Sequence, residues 1–307
     1  MGLGVIGRGR RIWPSKRGEG AAGRARSAVA VAAAVVGILL FVLTGSTTSI
    51  PGSARRPGVP SAGISPRAGR VARPGRRRLV IGALEGRAVD RLLSYTSYVA
   101  QGSSRRREVA LTFDDGPGPA TPRILAILRK THTPATFFLI GRSVRSYPWL
   151  VAAEAREGFV VGDHTGTHPF MSQLTPSAQT AEIRQAANDI QRAHARYPRL
   201  FRPPYGAFDK ATLAVLRARR MLMVLWTVDT KDYSQPGVNK IVYAAVSGAQ
   251  PGAIVLMHDG GGNRAQTVAA LPRIILRLRR RGFRLVSIPQ LISDDPPPRD
   301  QPPPHEL

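Results

Sequence analysis

No cysteine occurs in the chain. That absence removes disulfides, thiolate metal ligands, a thiol nucleophile and the acylated thiol of a bacterial lipoprotein anchor, so any metal must be held by histidine and carboxylate. Aromatic residues are sparse, at 6%, and are not interleaved with the basic ones as a nucleic-acid-binding motif would require. Lysine is nearly missing: of 45 basic side chains, 40 are arginine and 5 lysine. The net charge of +26 therefore reflects an arginine-rich composition as readily as an anionic envelope partner, and no specific nucleic acid is expected. Acidic residues number only 19 and are unevenly placed. Residues 1–107 carry 3 against 20 basic ones, and residues 108–307 carry 16 against 25.

A full membrane-crossing run of about 20 apolar residues is also lacking. What is there is a run of 16 at residues 28–43, reaching Gly45 if small residues are admitted. Arg8, Arg10, Arg11, Lys16, Arg17, Arg24 and Arg26 precede it. A basic flank before an apolar run reads as an export signal, with residues 1–27 a cytoplasmic leader and the rest outside. The long leader and the lack of an Ala-x-Ala cleavage site favour an uncleaved signal-anchor over residues 28–45, and hence a single-pass cell-membrane protein with an extracellular catalytic domain. Cleavage would make it secreted. Residues 46–104 read as a disordered, basic Pro/Arg/Gly-rich linker, with short elements after residue 79: a strand at Leu79–Leu84 and a helix or edge element at Val89–Val99. Residues 293–307, with two Pro-Pro-Pro runs, read as a disordered tail.

Between these lies a regular alternation. Strand-like runs fall at Val109–Phe113, Thr136–Ile140, Phe159–Gly162, Leu200–Arg202, Leu222–Val228, Ala253–Met257 and Arg284–Ile288. Helical patterns fall at Pro122–Lys130, Pro148–Glu157, Pro176–Ala195, Lys210–Arg219, Lys240–Gly248 and Gln266–Arg281. Thr175 before Pro176 is a good start signal, a capping hydroxyl followed by proline at the first helical position. Such alternation predicts an α/β domain over residues 105–292 with a mostly parallel sheet, curled into an incomplete (β/α) barrel whose site lies at the carboxyl ends of the strands.

Five polar clusters sit at such ends. Asp114-Asp115-Gly116-Pro117 alone reads as a solvated acidic turn. It is joined by Asp163-His164-Thr165-Gly166-Thr167-His168, Arg202-Pro203-Pro204-Tyr205-Gly206, Asp229-Thr230-Lys231-Asp232-Tyr233 and His258-Asp259. The His-x-x-x-His spacing puts both imidazoles on one face if the segment forms a single helical turn. With Asp115 it supplies a His₂-carboxylate set that holds a catalytic divalent metal, most readily Zn²⁺ with Co²⁺ or Ni²⁺ as alternatives, and leaves a position open for a nucleophilic water. Asp115, His164 and His168 are the candidate ligands.

The five clusters, in this order and on this alternation, resemble the five motifs of the polysaccharide deacetylase family (the NodB-homology domain, carbohydrate esterase family 4). The resemblance spans residues 108–290 and implies a distorted (β/α) barrel and metal-dependent removal of acetyl groups from N-acetylated glycan of the peptidoglycan or chitin type. It assigns Asp114 as general base, Arg202 as the residue that orients and neutralises it, and the Tyr205 backbone N–H as an oxyanion donor. It further assigns His258 as general acid, Asp232 as its carboxylate partner and Leu256 as a wall of the acetyl pocket. Tyr233 stands where the family usually has tryptophan, and it keeps a flat ring over the pocket. The alternatives are an O-deacetylase of acetylated xylan-like polysaccharide and a non-catalytic carbohydrate-binding relative.

Overall fold

The computed structural model describes residues 74–299, with side chains from residue 82. The leader, the apolar run at 28–45, residues 46–73 of the linker and residues 300–307 of the tail lie outside the described residues. In chain order the strands are β1 (Tyr98–Val99), β2 (Glu108–Gly116), β3 (Thr136–Leu139), β4 (Val160–Asp163), β5 (Leu200–Phe201), β6 (Leu222–Val224), β7 (Val228–Asp229), β8 (Ala253–His258) and β9 (Arg284–Val286). The helices are α1 (Pro74–Leu93), α2 (Thr121–Lys130), α3 (Gly141–Ser146), α4 (Pro148–Glu157), α5 (Pro176–Arg192), α6 (Lys210–Ala218), α7 (Val238–Ser247), α8 (Ala265–Arg280) and α9 (Ile288–Asp294).

All strand pairings are parallel, in the order β1-β6-β5-β4-β3-β2-β8-β7, with β9 also paired to β2. The sheet curls into a half-barrel, as the alternation predicts. Alternate residues of each strand face opposite sides. On β2, Val109, Leu111 and Phe113 join the outer core under the helices, whereas Ala110 joins the interior with Phe138, Val160, Leu200, Leu222 and Ile254. The covering helices show the matching period. In α8, Val268, Leu271, Ile274, Ile275 and Leu278 are buried while Arg273, Arg277 and Arg280 are exposed. Thr175 caps α5 as expected, its hydroxyl accepting from the Ala178 N–H at 3.3 Å.

Three differences have physical reasons. The single strand expected at Leu222–Val228 is two, because the chain changes partners midway: the Leu225 N–H donates to the Val99 carbonyl and the Thr227 N–H to that of Ile254. Helix α3 carries a single apolar buried side chain, Val144, too little for a periodic signal. The third concerns the linker. Leu79–Leu84 is not a strand but part of α1, whose Ala88, Val89 and Leu92 are buried against the strand-start end of the half-barrel beside Ile288, Leu291 and Ile292 of α9. Folded structure thus begins by residue 74, and β1 pairs with β6. At the other end of the domain, Asp295 is buried and accepts from the Arg106 N–H, and the Tyr95 hydroxyl donates to the Pro297 carbonyl. The tail therefore starts as packed chain.

Candidate active site

The site grows from an irregularity in β2. Strict alternation would send Asp114 inward and Asp115 outward. The pairing with β3 slips between Asp114 and Gly116, and Asp115 takes φ 71°, so the bulge turns both carboxylates toward the mouth. Gly260 and Gly261 lie directly over this bulge. A Cβ on Gly260 would stand 2.1 Å from the Asp115 carbonyl oxygen, and one on Gly261 2.4 Å from Asp115 Oδ2. Only glycine admits this approach.

Asp115, His164 and His168 converge as the sequence predicts, with one ligand atom from each lying within 4.8 Å of the others. The route differs from the one expected. His164–His168 is not a helical turn but a loop with φ 71° at Thr165 and 69° at His168. It is fixed by the His168 N–H donating to Thr165 Oγ1 at 2.9 Å and the Thr165 N–H donating to Asp163 Oδ1 at 2.8 Å. Asp163 is fully buried, and burial pushes its carboxyl well above the usual range, so it shapes this loop and faces no ligand.

His164 Nδ1 lies 2.7 Å from the Arg202 carbonyl oxygen. That contact makes Nδ1 the N–H donor and aims Nε2 at the carboxylate pair, 3.5 Å from Asp115 Oδ1 and 3.8 Å from Asp114 Oδ2. His168 Nε2 is 3.2 Å from the same Asp115 Oδ1, which is buried and accepts no hydrogen bond. Burial alone would raise the Asp115 carboxyl, but the two imidazoles outweigh it and hold it well below the usual carboxylate range. An ionised carboxylate and two imidazole Nε2 atoms gathered on its Oδ1, which accepts no hydrogen bond, fit a divalent metal of the zinc type.

On one flank, fully buried Arg202 donates to Asp114 Oδ1 and Thr112 Oγ1, each at 2.8 Å, and to the Val224 and Leu225 carbonyls, each at 3.1 Å. Its guanidinium lies 4.2 Å from the Phe138 ring centroid and 5.6 Å from that of Trp226. Burial lowers its pKa and Asp114 opposes the shift. A guanidinium stays charged under such shifts, so Asp114 faces a permanent cation. On the other flank, His258 Nδ1 is 2.7 Å from Asp232 Oδ1, and Asp232 Oδ2 accepts from the His258 N–H and from Thr267 Oγ1. Burial would lower the His258 pKa, but the Asp232 carboxylate, with Asp114 and Asp115 beyond it, raises it above the usual imidazole value.

Asp114, Asp115, His164, His168 and His258 line one cleft of about 680 Å³ together with Tyr205, Tyr233 and Leu256, and buried Arg202 and Asp232 back it from behind Asp114 and His258. Tyr205, at φ 60°, puts its ring 4.7 Å from that of His168, and Tyr233 packs edge-on to His258 at 5.4 Å. All ten residues singled out from the sequence are therefore at one mouth. Sequence reasoning missed Thr112, Arg142, Phe170 and Trp226. Thr112 was findable, being two residues before Asp114 on the same strand face. Arg142 follows the end of β3, as the other clusters follow theirs, but a lone arginine there carries no motif.

With this geometry in place, the comparisons are specific. Residues 101–224 match the family described as polysaccharide deacetylase. A chitooligosaccharide deacetylase of Bradyrhizobium sp. (strain ANU 289) is 40% identical over 61% of this chain and 92% of its own length. The chain belongs to the polysaccharide deacetylase family. A peptidoglycan-N-acetylglucosamine deacetylase of Bacillus cereus is 37% identical over 65% of this chain and 95% of its own. The solved structure of a family-4 pseudoenzyme from Bacillus anthracis superposes with a TM-score of 0.60 at 31% identity, covering 63% of this chain and 68% of the other. Membership alone thus does not guarantee chemistry, and the side chains present must decide.

Proposed function

We propose that the protein is a metal-dependent N-deacetylase of N-acetylated cell-wall glycan, of the peptidoglycan or chitin type. The observation that carries this reading is the placement of a base and an acid on opposite flanks of one ligand set: Asp114 with Arg202, and His258 with Asp232, around Asp115, His164 and His168. A divalent metal held by those three, Zn²⁺ on this donor set, supplies positive charge that polarises the acetyl carbonyl and acidifies water. Asp114 takes the proton from the attacking water, and Arg202 keeps it ionised and aimed. The Tyr205 N–H is the proposed donor to the developing oxyanion. His258, held protonated by Asp232, gives its proton to the departing nitrogen. Leu256 lines the recess for the acetyl methyl.

An alkoxide leaves an ester far more readily than an amine leaves an amide. A built acid pair therefore favours N- over O-deacetylation, and the intact set disfavours a purely binding role. The test is release of acetate from N-acetylglucosamine oligomers, abolished by chelation and restored by zinc or cobalt. Activity indifferent to chelator would refute the metal assignment. We also propose export, with residues 28–45 as a signal-anchor. A reporter fused after residue 80 should be active outside the cytoplasm and stay with membranes, whereas recovery in the medium would mean cleavage.

A further inference from the structure

The loops after β3, β4 and β5 bring to one rim of the cleft two features that the deacetylation chemistry does not use. The first is Arg142, exposed and on the cleft wall. Its side chain makes no ion pair or hydrogen bond with the described residues; its N–H donates to the Gly166 carbonyl and its own carbonyl accepts from Ser146 Oγ. The carboxylates of the cleft are already engaged: Asp114 by Arg202, Asp115 by its two histidines, and Asp229 by the Lys231 N–H and the Tyr233 hydroxyl. The other arginine of the wall, Arg264, is buried and spends its guanidinium on the Gly260 and Gly261 carbonyls. Arg142 is thus a cation of the cleft left for something that is not protein.

The second feature is an aromatic stack. Phe170 lies on Tyr205 with ring centroids 3.9 Å apart and an interplanar angle of 11°. Both rings are open to solvent, Phe170 at 42% and Tyr205 at 51% exposure. Tyr205 lines the cleft and Phe170 extends the apolar surface past its edge. A pyranose has one face dominated by C–H groups, and flat aromatic surface of this kind is what such a face covers. A free cation and a ring platform on the wall of one cleft suit a sugar that carries an acid.

We propose that this rim is a subsite for the sugar adjacent to the one being deacetylated, with Phe170 on Tyr205 taking its ring face and Arg142 its carboxylate. The inference rests on the N-deacetylase reading and deepens it. It selects glycan in which an acetylated amino sugar neighbours one bearing a carboxylate, as the lactyl ether and peptide of peptidoglycan do, over neutral chitooligosaccharide. Arginine meets carboxylate through a two-pronged fork, so charge and shape are both read.

The experiment compares wild type, Arg142→Ala and Phe170→Ala on the N-acetylglucosamine monomer, its neutral tetramer, a peptidoglycan tetrasaccharide with free lactyl carboxylates, and the same saccharide with the lactyl groups in peptide linkage. Arg142→Ala should raise KM about threefold to tenfold on the carboxylate-bearing saccharides, with kcat held and the neutral tetramer unaffected. The effect should shrink in high salt. A response confined to the free lactyl arm, or to the peptide arm, names the carboxylate that is read. Phe170→Ala should raise KM on every oligosaccharide and spare the monomer. Equal effects of Arg142→Ala on neutral and charged tetramers, or none, would overturn the proposal. Calorimetric binding to Asp114→Asn carriers of the same changes separates the two readings. Arg142-dependent binding of charged saccharide without wild-type turnover sinks the activity and keeps the subsite, whereas binding indifferent to Arg142 sinks the subsite.

Discussion

Asp114 and Asp115 are neighbours in different electrostatic company: one is bound to a permanent cation, the other sits between two imidazole nitrogens. Asp114→Asn should therefore remove proton abstraction and lower kcat by about 10²- to 10⁴-fold, while metal content, measured by elemental analysis, stays stoichiometric. Loss of metal in that variant would exchange the two roles. In the proposed mechanism His258 works as an acid only while protonated, so activity should be retained below its folded pKa and lost as pH rises through it. That pKa is raised, with Asp232 as the main support against burial. Asp232→Asn should move the alkaline limb of kcat/KM to lower pH, and an unmoved limb would separate Asp232 from the acid's titration. Individually these residues were legible in the sequence because each follows a strand. The loop geometry that gathers them, with its left-handed backbone at Asp115, Thr165, His168 and Tyr205, was not, since no side-chain pattern encodes it.

At the scale of elements, α4 contributes a second acidic feature behind the site. Glu154 is fully buried with neither carboxyl oxygen hydrogen-bonded, and burial, with the charges of Asp259 and Glu157 adding, pushes its pKa well above 4.5. Asp259, bonded to Thr121, is raised to about 7 chiefly by burial. Both groups hold a proton in the folded chain at pH values where the unfolded chain has lost it. Stability accordingly falls as pH rises from the unfolded pKa through the folded one. Glu154→Gln should flatten that fall as pH rises above the ordinary carboxylate range in denaturant titrations, and an unchanged slope would clear Glu154 of the effect. The strongly amphipathic helices and the central strands were readable because one face of each must be covered. Short α3 was not, because Val144 is its one buried apolar side chain, and the divided β6–β7 was not, because its break is set by which neighbouring strand offers a hydrogen-bonding edge.

For the whole molecule, chemistry sits at one end of the half-barrel and closure at the other. Val89 and Leu92 of α1 are fully buried there, each contributing about 1.5–3 kcal/mol on burial. Together that approaches the lower end of a domain's net stability, about 5 kcal/mol. A chain beginning at residue 74 should melt cooperatively and deacetylate. One beginning at residue 105, the boundary that composition suggested, should lose several kcal/mol or fail to fold, and equal melting temperatures would contradict this. Composition misled because α1 is rich in arginine and glycine and resembles the preceding linker until its few apolar positions are seen against the barrel.

Arg202 belongs to both the site and the core. It is bound to Asp114, the proposed base, yet it is also enclosed by Phe138 and Trp226 and tied to two backbone carbonyls. Removing it would strand a buried carboxylate and open the core at once, a loss of about 3–5 kcal/mol. Selection on folding alone would therefore preserve it after selection on turnover had lapsed. A lineage abandoning its chemistry would shed the more exposed His168 or Asp115 first and carry Arg202 onward as an inherited strut.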